Sequence, residues 1–154
     1  MRKFLLLLLT SICFTLIGCG ITYEDTNGED DFSLQTITDE NIVNLELGSS
    51  GLKYSKQSIG NLIFTSEYSS KNFNGVAELY STDFLLPSDI SVDIGYLNVT
   101  SGNFKLAVIN NNEIIQEIPI NTFNETFSFE DLKGSFAVHI VGESAAFELS
   151  IQIN

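Results

Sequence analysis

Tryptophan is absent, histidine occurs once, and neither of the two cysteines lies beyond residue 19. Each shortage removes a class of chemistry. Cys13 falls within an N-terminal apolar run and Cys19 at its end. The chain beyond them has no thiol for a disulfide framework, a zinc–thiolate site or a cysteine nucleophile. A single imidazole, His139, is a poor start for a transition-metal site. Basic residues are also scarce: seven Lys and Arg face twenty Asp and Glu, for a formal charge of −13. An acidic surface is repelled by phosphate, which argues against binding nucleic acid or bare anionic headgroups. Gly48-Ser49-Ser50-Gly51 lacks the Lys and the helix that follow a phosphate loop. No helical period is sustained, and no internal repeat is visible.

What is present begins at the N-terminus. Arg2 and Lys3 precede an apolar run of 14 residues, Phe4 to Ile17, whereas a permanent membrane helix needs roughly 20. A charged start, a short apolar core and a small residue before a cut site mark a removable export signal. Leu16-Ile17-Gly18-Cys19 resembles the lipobox of bacterial lipoproteins. That resemblance implies a signal peptide over 1–18, with Leu16, Ile17 and Gly18 at the cleavage site. It also implies Cys19 as the new N-terminus, bearing a diacylglycerol. Two acyl chains suffice for stable anchoring where one does not. The expected location is the extracytoplasmic face of the cell membrane. Loss of the leader removes Arg2 and Lys3 and no acid, so the formal charge becomes −15.

Residues 19–35 read as a lipidated acidic linker. Glu24, Asp25, Glu29, Asp30 and Asp31 repel one another, and few large apolar residues intervene. The run lacks the spacing of a calcium loop. The remainder, 36–154, is long enough for one domain with one core.

Residues 36–47 carry two signals. Thr38 before Asp39 and Glu40 resembles a helix start, but Val43-Asn44-Leu45-Glu46-Leu47 alternates like a strand, and strand is the expectation. From residue 59 on, short alternating runs follow one another. Phe84-Leu85-Leu86-Pro87-Ser88 is a connection, since proline cannot donate within a central strand. Gly95, inside the run Ile90 to Val99, suggests a bulge or a close backbone approach. Asn110-Asn111-Asn112-Glu113 is a natural hairpin turn between Phe104–Ile109 and Ile114–Ile118. Gly142-Glu143-Ser144 is expected to be a second tight hairpin, joining Phe136, Val138 and Ile140 to the run Phe147, Leu149, Ile151, Ile153. Seven or eight strands spaced 8 to 12 residues apart predict an all-β fold, an antiparallel β-sandwich. A jelly-roll-like arrangement is the first choice, an immunoglobulin-like one the alternative.

Residues 71–154 resemble a group of small lipoproteins from low-GC Gram-positive bacteria. The matching stretches are Phe73-Asn74-Gly75-Val76, Ser101-Gly102-Asn103-Phe104-Lys105, Lys133-Gly134 and Gly142-Glu143-Ser144-Ala145-Ala146-Phe147. The resemblance implies a lipid-anchored all-β domain and no activity or substrate. Turn chemistry explains these motifs without a ligand; the alternative is that Glu143 and Ser144 line a recognition edge.

His139 should face away from Phe136, Val138 and Ile140, beside Ala137 and Val141. A Ser-His-Asp arrangement would have to use it, and no G-x-S-x-G elbow is present. Tyr54, Tyr68, Tyr80 and Tyr96 are the candidates for stacking on sugar, against a plainer role at the edge of the core. The expectation is a non-enzymatic, cofactor-free binding module held to the membrane through Cys19, with a protein or envelope glycan as its partner. A small surface hydrolase is the alternative.

Overall fold

The computed structural model describes residues 37–60 and 63–154. The leader, the lipobox, Cys19 and the acidic linker lie outside the described residues. No helix among the described residues is long and apolar enough to cross a membrane.

The elements are α1 (Asp39–Asn44), β1 (Ser49–Ser50), β2 (Lys53–Gly60), β3 (Ile63–Asn110), β4 (Glu113–Ile118) and β5 (Phe123–Ile153). Among the described residues all strand pairings are antiparallel, and the structure is all-β apart from α1. β3 and β5 are extended runs that change partners along their length. Segment 147–153 lies between 64–70 and 92–99, and 92–96 pairs in turn with 123–127. β2 closes that ladder against 63–69. Segment 136–142 lies between 75–82 and 104–110. β4 and β1 flank this second ladder, at 106–110 and 74–75 respectively.

Alternation decides what each face covers, because neighbouring side chains on a strand point to opposite sides. Phe147, Leu149, Ile151 and Ile153 are buried, while Glu148 is exposed and Ser150 and Gln152 half-buried. Phe136, Val138 and Ile140 join them in one core cluster with Phe73, Leu106 and Val108. Aromatic contacts tie the ladders together: Phe64 lies 5.4 Å from Tyr80, and Phe73 meets Phe147 edge-on at 5.9 Å.

The strand expected at 43–47 is instead helix and turn. Thr38 caps α1: its hydroxyl accepts from the Asn41 amide, and the Asn41 side chain accepts from the Thr38 amide. Leu45 ends the helix in the left-handed region, φ 53°. The alternation at 43–47 lost because Ile37, Ile42, Val43 and Leu47 all pack on one patch: Val76, Ala107, Ile109 and Val141 of the second ladder. A strand would have placed Ile42 on the face opposite Ile37, Val43 and Leu47. Ile42 is fully buried there.

Two turns differ in outcome. Asn111 (φ 49°) and Asn112 (φ 64°) form the expected two-residue hairpin between paired Asn110 and Glu113. The hairpin expected at Gly142-Glu143-Ser144 is not one. Segments 136–142 and 147–153 do not pair with each other; the chain passes from one ladder into the next, with Ser144 at φ 52° absorbing the bend. Gly95 comes close to the backbone and side chain of Ser150, as a close-approach glycine should.

Candidate functional site

The motif stretches separated in sequence converge at the bend between the ladders. Gly75 pairs with Gly142, and Asn103 pairs with Glu143. The Asn103 amide donates to the Glu143 carboxylate at 3.0 Å, and the Ser144 backbone amide donates to Asn74 Oδ1 at 2.7 Å. Gly102 sits at φ 74°, and a Cβ there would collide with the Ser144 carbonyl. One at Gly142 would collide with the Phe73 ring. Phe147 is the hub of the corner, with Phe104 at 4.6 Å and Phe73 on another side. Glycines here allow backbone and ring to approach where a side chain would hold them apart. Lys133-Gly134 lies elsewhere: the Asn111 side chain donates to the Lys133 carbonyl at 2.9 Å and accepts from the Ser135 amide at 3.2 Å.

A cleft of about 130 Å³ opens beside the corner, lined by Ile37, Asn103, Phe104, Lys105, Gly142 and Glu143. Its charged groups are engaged. Glu143 accepts from Asn103, and the Lys105 ammonium donates to Glu117 at 2.9 Å. That bond is the main reason the Lys105 pKa is raised. Partial burial opposes it, and the charges of Glu117 and Asp39 reinforce it.

His139 occupies the face the sequence assigned to it, beside Ala137 and Val141, but that face is roofed by α1. The ring is buried, and its Nδ1 lies 2.8 Å from the Ile42 carbonyl oxygen. A carbonyl only accepts, so Nδ1 carries the hydrogen and donates it. Nε2 makes no hydrogen bond and faces the Glu78 carboxylate at 3.6 Å. This imidazole ties the helix to the sheet. Glu78, Asp83, Asn112 and His139 line a hollow of about 260 Å³. Among the described residues, no three His, Cys, Asp or Glu side chains gather as a metal-ligating group.

The four tyrosines do not share one exposed face. Tyr54 is exposed, whereas Tyr68 is part of the core. Tyr80 packs between Phe64 and Phe136. Tyr96 is half-buried, and its pKa is raised by burial and then by the Glu67 and Glu148 charges. Burial also raises that of Tyr68, with a hydrogen bond involving Ser66 working against it.

No family model matches the chain. A search of curated proteins likewise gives no match.

Proposed function

We propose that this chain is a lipid-anchored, extracytoplasmic binding module, a jelly-roll-like β-sandwich without catalytic activity. The sandwich reading is supported by the shared core: inward side chains of both ladders belong to one cluster. The anchor reading rests on Leu16-Ile17-Gly18-Cys19 after a charged start and a short apolar run.

One observation carries the binding role. The sole imidazole and polar side chains of the matching stretches are occupied in holding the fold: His139 with α1, Asn74 with the Ser144 backbone, and Asn103 with Glu143. That leaves recognition to the surface. The partner is a protein or another envelope component. A glycan partner is the weaker version, since the tyrosines that would stack on sugar are dispersed.

The anchor is tested by metabolic labelling with palmitate in a bacterial host. The wild-type chain should take up label and sediment with membranes, and Cys19→Ala should do neither. Label retained by Cys19→Ala, or a cytosolic wild-type chain with Met1 intact, would overturn it.

A further inference from the structure

Within β3, the pairing with β5 slips between Phe84 and Ser88. Phe84 pairs with Gly134 and Ser88 with Leu132, so three residues on one strand oppose one on the other. The surplus is thrown outward as Leu85-Leu86-Pro87. Leu85 is 98% exposed and Leu86 74%, the two most exposed large hydrophobic side chains among the described residues. Single exposed leucines are ordinary on a protein surface; two in succession on a projecting tip are not.

The tip is also held firmly at its root. Phe84 packs against Phe136 with ring centroids 6.2 Å apart, and Phe129 lies equally close to Phe136. The Ser88 hydroxyl donates to the Leu86 carbonyl at 3.1 Å, and Asp89 accepts from the Asp131 amide at 3.1 Å. Pro87 fixes one further dihedral. A loop ordered before binding loses less freedom when a partner closes on it.

Charge selects the partner. Exposed Asp83, Asp89, Glu130 and Asp131 lie along the two strands that carry the tip, against one basic side chain, Lys133. Four carboxylates against one ammonium disfavour insertion into an anionic bilayer. They favour a protein surface on which Lys or Arg surrounds an apolar socket.

We infer that Leu85 and Leu86 form a docking finger for a partner protein that offers an apolar socket rimmed by basic side chains. This assignment rests on the binding-module reading and gives it a location.

The test uses the purified full chain and a defined probe: a fluorescent 14-residue helical peptide with leucines on one face and lysines on the other. Binding is followed by anisotropy, alongside flotation with phosphatidylglycerol vesicles. The wild-type chain should bind the peptide, and Leu85→Ser/Leu86→Ser should weaken binding at least tenfold with the charge unchanged. Asp83→Asn/Asp89→Asn/Glu130→Gln/Asp131→Asn should weaken it by a similar factor, as should high salt. Vesicle binding should not depend on the leucines. Melting temperatures of the leucine variant and wild type should agree, since neither leucine is buried. Equal peptide binding by the leucine variant would overturn the finger while leaving a binding module with its surface elsewhere. Leucine-dependent vesicle binding would replace the protein partner by a lipid surface and overturn the assignment. No peptide binding by the wild type would refute the assigned partner chemistry, and the Cys19 labelling result stands or falls separately.

Discussion

Around segment 147–153, alternate side chains enter the core while Glu148, Ser150 and Gln152 face outward. Around segment 136–142 the outward positions are Ala137, His139 and Val141, and a six-residue helix covers them. The two ladders share strands, pairing rules and a core, yet one has a wet face and the other a roof. A roof over a sheet must satisfy its own backbone groups as well as bury apolar ones. Here the helix is too short to hold by itself, since isolated helices below about 12–15 residues are marginal. Ile42 supplies the burial, and His139 satisfies the carbonyl of that same residue.

The largest effect that separates the ladders should come from Ile42→Ala. Removing a fully buried isoleucine from under the roof should cost about 2–5 kcal/mol, read from urea unfolding. A loss below about 1 kcal/mol would mean the helix contributes little. His139→Ala should come next, at about 1–3 kcal/mol, because it leaves the buried Ile42 carbonyl without a donor. His139→Asn, which can still donate, should recover part of that loss.

A smaller effect, spread over both ladders, is expected in alkali. The pKa values of Tyr68, Tyr96 and Lys105 are all raised in the folded chain. Each group therefore keeps its proton longer when folded than when unfolded. Between the unfolded and folded values the native state binds more protons, so stability falls as pH rises. The stabilisation is complete below about pH 10 and is lost above it. A melting temperature that rises from pH 9.5 to 11 would contradict these assignments. The smallest effect belongs to the wet face: Glu148→Ala should change stability by no more than about 0.5 kcal/mol.

How much of this was legible depended on whether the determining contacts were local. The Asn111-Asn112 turn could be read because two residues dictate it. The strand ending at Ile153 could be read because its alternation is uninterrupted. The side of the strand on which His139 sits followed from the same rule. The fate of that side did not, because the roof comes from residues 97 positions away. Residues 43–47 alternate as a strand would, and only the distant patch that accepts Ile42, Val43 and Leu47 together selects a helical turn.

Gly142-Glu143-Ser144 has the composition of a hairpin, yet a bend between ladders asks for the same residues. The choice is made by strands 70 and 40 positions away, through Asn74 and Asn103. Pro87 suggested a connection at Phe84–Ser88, but β3 runs through it, and the interruption is a slip in register rather than a link between strands. That its leucines point outward depends on the slip against Leu132 and Gly134, which no local pattern reports.

The assignment of His139 as the strut between helix and sheet is tested most directly by nitrogen-15 NMR of its ring, at a pH where the ring is neutral. As the sole histidine, it gives one set of imidazole signals. The proton should reside on Nδ1, protected from exchange with water by the bond to the Ile42 carbonyl. A ring protonated on Nε2 alone, or an Nδ1 hydrogen exchanging as fast as in a free imidazole, would contradict the account.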